Sequence, residues 1–221
     1  MFRSINQSHS DDVARGLPTD DLRAYAIVSC YHHGQPVGGR DSSPEHWYRV
    51  AAGAVRQYAV QPDGRRQIID LLLPGDFFGF AAPGGERFGA EAIIEGTILV
   101  SYPWRRLLAD SNPGVAHQIR EGAFATIFRL QRQLLVLGRV KAPEKVGSFL
   151  LELAERLSLQ PGEEVLLPVS RYDIADYLAI SVETVSRSIT DLRHRGAIRL
   201  EGARQVTIID PDILDMSVAH H

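Results

Sequence analysis

Val182, Glu183, Ser186 and Arg187 lie within one short stretch and have the types and spacing to meet the edges of nucleobases. An arginine can donate two hydrogen bonds to guanine O6 and N7, a carboxylate can accept from cytosine N4, and a serine hydroxyl can do either. A carboxylate beside phosphates is electrostatically unfavourable unless it meets such a donor, so Glu183 in this setting serves specificity rather than affinity. On an ordinary helix Glu183 and Arg187 would be a solvated i,i+4 pair worth about 0.2–0.5 kcal/mol. The surrounding pattern decides between these readings.

That pattern, residues 170–198, is SRYDIADYLAISVETVSRSITDLRHRGAI. Ser170 and Asp173 have capping-box spacing, with Asp in place of the usual Glu or Gln. Ile174, Ala175 and Leu178 form the inner stripe of a first helix. Ser181 can cap a second, spanning about 182–194, whose stripe is Val185, Ile189 and Leu192. Only Ala179 and Ile180 join the two, which forces a steep crossing with the small Ala175 at the approach. This is the form of a helix-turn-helix, whose second helix enters the major groove of double-stranded DNA by its N-terminal part. The inner stripe turns Val182, Glu183, Ser186 and Arg187 outward. Arg171, Ser181, Thr184, Arg193, Arg195, Arg199 and Arg204 stand at helix ends and in the following hairpin (AIRLEG–ARQVTIID), where phosphates would lie. From 170 to 204 there are six arginines against five acids, although the whole chain carries a net charge of −3.

Upstream, Asn112 suits an N-cap and Pro113 a first helical position. Ala116, Ile119, Ala123, Ile127, Leu130, Leu134 and Leu137 then recur at steps of three and four, a heptad-like seam. Phe124, Phe128 and Leu135 form a second apolar row. The pattern predicts a long helix with one face on its own domain and the other, from Ile119 to Leu137, on a second copy of the chain. A single amphipathic core helix is the alternative. Residues 138–143 read as a hinge, followed by a helix over VGSFLLELAERL that Gln160-Pro161-Gly162 closes. Between Ala24 and Tyr102 short runs rich in Val, Ile, Tyr and Phe (YAIVSCY, HWYRVAAGAVRQYAV, RQIIDLLL, FFGF, AIIEGTILVSY) alternate with Pro- and Gly-containing turns, as in a sandwich or barrel. The expected divisions are a flexible segment at 1–20, a β domain at 21–111, the long helix at 112–139 and a DNA-binding domain at 140–221.

Composition excludes several classes. The single cysteine, Cys30, leaves no intramolecular disulfide, four-thiolate zinc site or four-cysteine cluster. Cys30, His32 and His33 lie close together, but adjacent strand side chains alternate between faces, and they read as a small buried cysteine beside surface histidines. No metal site follows from them. His46 and His117 are isolated and no H-x-H occurs, which argues against a metal-dependent barrel enzyme. His220 and His221 at the end of the chain read as remnants of a purification tag. No apolar run approaches the ~18–20 residues of a membrane span, and MFRSINQSHSDD lacks the shape of a signal peptide, so a cytoplasmic protein without membrane partners is expected.

The E-x-x-S-R pattern of Glu183, Ser186 and Arg187 in its helix-turn-helix, together with the turn LLLPGDFFG at 71–79, resembles the Crp/Fnr superfamily of bacterial transcription regulators. Within it the similarity is to the Fnr and FixK-like branches, over nearly the whole chain after residue 20. The resemblance implies an α+β architecture: an N-terminal β-roll sensor domain of double-stranded β-helix (jelly-roll) type, a long dimerisation helix and a C-terminal winged helix-turn-helix. It further implies a homodimer on a palindrome with TTGA-type half-sites, recruitment of RNA polymerase, and activation as the commoner mode. By the same resemblance Arg187 would meet guanine, Glu183 its neighbourhood including the paired cytosine, and Ser186 a thymine.

Two positions depart from the family pattern. Ala179 stands where glycine is usual in the tight turn, which predicts a left-handed alanine, and Ser188 stands where an apolar residue is more common. The ligand chemistry departs as well. In the cyclic-nucleotide branch an acid closely follows the second glycine of the PGD turn, whereas Gly79 is followed by Phe80, Ala81 and Ala82; Arg87 is followed by Phe88 rather than a small polar residue. The expectation is a regulator requiring no cofactor, neither cyclic nucleotide nor iron–sulfur cluster. The alternative is a β domain that binds haem or another small ligand before DNA. Oxidation of Cys30 is a further route to control.

Overall fold

The structure, a computed structural model, describes residues 20–38, 46–79, 88–157, 163–202 and 205–214. Residues 1–19 of the expected flexible segment 1–20, the Phe80–Ala82 and Arg87 positions, the Gln160-Pro161-Gly162 stop, Arg204 and the terminal His220 and His221 lie outside the described residues. The described residues divide into two compact units, one up to Leu130 and one from Gln131, with the boundary inside the long helix.

The first unit contains a short α1 (Asp20–Arg23) and seven strands: β1 (Ile27–Tyr31), β2 (His46–Ala52), β3 (Val55–Val60), β4 (Arg66–Leu72), β5 (Phe77–Phe78), β6 (Gly89–Ala92) and β7 (Thr97–Pro103). They form two antiparallel sheets, ordered β1-β7-β2-β5 and β4-β3-β6. Alternation along the strands splits their side chains between two cores. Val50, Phe78 and Leu99 from one sheet meet Val55, Leu72 and Ala90 from the other, with Tyr31, Val37 and Tyr48 at the margin. Ala51, Val100 and Tyr102 point oppositely and pack against Leu22 of α1, Leu107 of α2 (Trp104–Leu108) and Val115 of α3 (Pro113–Leu137).

Two runs that read as continuous in sequence are broken. HWYRVAAGAVRQYAV turns at Gly53, whose φ of 83° suits glycine and whose missing side chain leaves room for Thr97. AIIEGTILVSY is interrupted between Ala92 and Thr97. Cys30 is exposed, correcting its reading as a buried cysteine: β1 is an edge strand, and the Cys30 side of it is not covered. His32 and His33 are exposed, and both engage Glu95, His32 through Nδ1 at 2.6 Å and His33 through its backbone N–H at 2.9 Å.

Asn112 caps α3 as expected, its Oδ1 accepting from the Gly114 N–H at 2.8 Å. The face that α3 turns to its own β domain is less apolar than the heptad pattern suggested. A Cβ at Gly122 would come within 2.9 Å of the Phe77 ring, so the glycine permits the close approach. Thr126 Oγ1 donates to the Phe77 carbonyl at 3.2 Å. Buried Arg129 donates to Asp70 from Nε and Nη2 at 2.8–3.0 Å and to Asp76 of the LPGD turn from Nη1 at 3.0 Å. Ile119 packs against the core beside Val115, so this residue of the expected partner seam is drawn into its own domain. Ile127, Leu130 and Leu134 of the seam are exposed, as are Phe124, Phe128 and Leu135, the last at 75%.

The second unit contains α4 (Ala142–Arg156), β8 (Glu164–Leu166), α5 (Arg171–Tyr177), α6 (Val182–His194), β9 (Ile198–Leu200), β10 (Gln205–Ile208) and α7 (Pro211–Leu214). Val146, Phe149, Leu150 and Leu153 of α4 are buried, with Phe149 edge-on to Tyr177 at 5.7 Å. The sheet has three strands in the order β8-β10-β9 where the sequence suggested only the β9–β10 hairpin. β8 is three residues long and lies far from its partner in sequence, so no hairpin signal marked it.

Candidate nucleic-acid interface

Local chemistry sets the two helices. Ser170 Oγ accepts from the Asp173 N–H at 3.2 Å while Asp173 Oδ2 accepts from the Ser170 N–H at 2.9 Å, a reciprocal capping box. α5 stops in a Schellman motif, with the Ala179 N–H donating to the Asp176 carbonyl at 3.2 Å and the Ile180 N–H to that of Ala175 at 3.0 Å. Ala179 takes φ 52°, the left-handed conformation its position predicted. Ser181 then caps α6, its Oγ accepting from the Thr184 N–H at 3.1 Å and meeting Thr184 Oγ1 at 2.8 Å. Each cap satisfies backbone donors that the short turn would otherwise leave unpaired.

Val185, Ile189 and Leu192 are buried on the inner face of α6 together with Ser188, the polar residue at an apolar position. This fixes the rotation of the helix about its axis. Glu183 and Arg187 are exposed, and Val182 and Ser186 are half-buried, all on the first two turns. The four residues singled out in the sequence are thus brought onto one surface. Ser186 is held from α5, because Arg171 Nη1 donates to its Oγ at 3.2 Å.

The same surface continues further than the sequence reading took it. Ser186, Arg187, Thr190, Asp191 and His194 line an open concavity of about 400 Å³. Thr190, Asp191 and His194 were missed, although each lies four or seven residues beyond Arg187 or Ser186 and helical spacing alone could have found them. The flanking basic residues are partly occupied. Arg193 Nη2 lies 3.3 Å from the His194 ring, Arg195 Nη1 3.8 Å from Asp191, and Arg199 Nε 3.2 Å from Glu201. These exposed pairs are weak and exchangeable, so they do not prevent the arginines from turning to an anion. Among the described residues no group of three or more His, Cys, Asp or Glu could hold a metal ion, and no helix is long and apolar enough to cross a membrane.

The module matches a known one. A family model described as a Crp-like helix-turn-helix domain matches residues 144–216, and a cyclic nucleotide-binding domain model matches residues 29–106. The nitrogen fixation regulation protein FixK of Rhizobium meliloti is 38% identical over 188 residues, 85% of each chain. The transcriptional activatory protein AadR of Rhodopseudomonas palustris is 36% identical over 185 residues, 81% of this chain and 76% of that protein. The crystal-structure relative FixK2 from Bradyrhizobium japonicum superposes with a TM-score of 0.76 at 36% identity, covering 86% of this chain and 95% of that one. With two matched domains and relatives this similar over most of its length, the chain belongs to the Crp/Fnr family of transcription regulators and carries that family's DNA-binding helix-turn-helix.

Proposed function

We propose that this protein is a cytoplasmic transcription activator that binds as a homodimer to a TTGA–TCAA-type palindrome and recruits RNA polymerase. The observation that carries the reading is the outer face of α6, where Glu183, Ser186 and Arg187 stand at the start of a helix whose other side is buried. Arg187 donates to guanine O6 and N7, Glu183 accepts from the paired cytosine N4, and Ser186 meets a thymine. Arg171, Ser181, Thr184, Arg193 and Arg195, which stand at helix ends, contact phosphates in this reading, and Arg204 belongs with them by sequence. The activator role draws on the relatives' names. The homodimer draws on the apolar face of α3, with Ala123, Ile127, Leu130, Leu134 and Leu137 as the seam.

Activity without an added effector is part of the proposal. Val50, Val55, Leu72, Phe78, Ala90 and Leu99 pack together between the two sheets, and none of them is a polar or charged ligand-binding group. The match to a cyclic nucleotide-binding domain favours a second reading, in which a small ligand or haem on the β domain gates DNA binding. DNA affinity that appears only with added ligand, or a haem Soret band in the purified protein, selects that reading.

A mobility-shift titration on the palindrome and on random DNA tests the first. The wild-type protein is expected to prefer the palindrome, and Arg187→Ala to lose about 1–3 kcal/mol with relaxed preference at the base pair it reads. Equal wild-type affinity for both DNAs rules the reading out.

A further inference from the structure

A serine hydroxyl is ambivalent toward DNA, because rotation of its O–H lets it donate to an acceptor or accept from a donor. The Ser186 environment biases that choice. Arg171, at the first position of α5, reaches across to α6 and donates from Nη1 to Ser186 Oγ at 3.2 Å. A guanidinium is always charged and only donates, so Ser186 is the acceptor in this bond, which leaves its hydroxyl hydrogen unused. Both residues are half-buried, where charge is less screened than in open solvent. That bond takes one of the two lone pairs on Ser186 Oγ, and a second N–H approaching the other would meet the adjacent positive charge. Thr190 does not compete for the hydroxyl, since its Oγ1 is directed to the Ser186 backbone carbonyl at 2.9 Å.

We propose that Arg171 is a specificity-determining positioning residue that biases Ser186 toward donating its hydroxyl hydrogen, setting it to favour thymine, whose O4 accepts, over cytosine, whose N4 amino group donates. The assignment rests on the reading of α6 as the helix in the major groove. It goes beyond the phosphate contact proposed for Arg171, which by itself would fix register and carry no base information.

Competition binding with modified palindromes tests it. Each thymine of the TTGA half-site is replaced in turn by 5-methylcytosine paired with guanine, which keeps the methyl group and exchanges the acceptor for a donor. Wild-type protein is expected to prefer thymine at the Ser186 position by roughly threefold to tenfold, the worth of one hydrogen bond. Ser186→Ala identifies that position by abolishing the preference there. Arg171→Ala is expected to abolish it at the same position and leave discrimination at the Arg187 guanine intact, with Arg171→Ala/Ser186→Ala losing no more than either change alone. Each preference is a ratio of two affinities for one preparation, so a partly unfolded variant does not distort it. The assignment is overturned if Arg171→Ala keeps the full thymine preference while binding every site more weakly with a salt slope reduced by about one. It is equally overturned if Ser186→Ala changes no preference. A wild-type protein that does not distinguish the palindrome from random DNA is a separate result, which fails the proposed function and this assignment with it.

Discussion

Ala179 holds a left-handed backbone that most side chains resist. Its φ of 52° closes the Schellman turn between α5 and α6, and the same motif ends α6 at Gly196, φ 77°, with the Gly196 N–H on Arg193 and the Ala197 N–H on Leu192. An alanine in this conformation costs on the order of 1–2 kcal/mol, because its Cβ crowds the carbonyl oxygen, whereas glycine is unhindered. Glycine is also the more flexible residue in the unfolded chain, which offsets part of the gain. Ala179→Gly is expected to stabilise the helix-turn-helix by about 1 kcal/mol net, read as a higher denaturation midpoint by circular dichroism. A lowered midpoint would show that the turn carries no strain to relieve. The caps at Ser170 and Ser181 were legible in sequence because each is made within four residues of chain. The Arg171–Ser186 bond was not, since it spans 15 residues and exists only once the two helices cross.

At the scale of the element, α3 shows where heptad reading succeeds and where it stops. The pattern correctly gave one long helix capped by Asn112, but beyond Ile119 both of its apolar rows are largely exposed and neither is the face turned to the β domain. Apolar periodicity could not reveal that the inward face is fixed by Gly122, Thr126 and Arg129, since none of these is an apolar signal. Arg129 is buried with Asp70, and the carboxylates and guanidinium have given up water for each other. Such a pair does not stabilise much relative to well-packed apolar residues, but removing one member leaves a buried charge poorly compensated. Asp70→Ala is therefore expected to destabilise the first unit by about 3 kcal/mol, with Asp76 retaining part of the compensation. Thermal unfolding followed by tryptophan fluorescence checks this; an unchanged midpoint would mean that Arg129 escapes to solvent at little cost.

For the whole molecule, the question is what covers α3. Leu134 and Leu135 are 67% and 75% exposed, and Phe124, Ile127 and Phe128 continue the same face. A patch of this kind on one chain is the usual mark of a protein interface, and a heptad-spaced one suits a second parallel helix. Leu134→Glu is expected to convert the proposed dimer to monomer in analytical ultracentrifugation and to weaken binding to the proposed full palindrome by roughly tenfold or more. The loss arises because two linked half-site contacts become two independent ones. A monomeric variant that binds the palindrome as tightly as wild type would show that DNA binding does not depend on pairing through this face.

By itself the sequence determined the β-then-helix-then-helix-turn-helix order, the caps, the left-handed Ala179 and the outward group Val182, Glu183, Ser186 and Arg187. All of these follow from periodicity or from contacts between near neighbours in the chain. Only the tertiary structure decided that Cys30 is exposed, that Ile119 turns inward, that β8 completes a third strand and that Arg171 grips Ser186. Those depend on which distant segments come to lie alongside a residue, and pairing between segments leaves no periodic mark on either one.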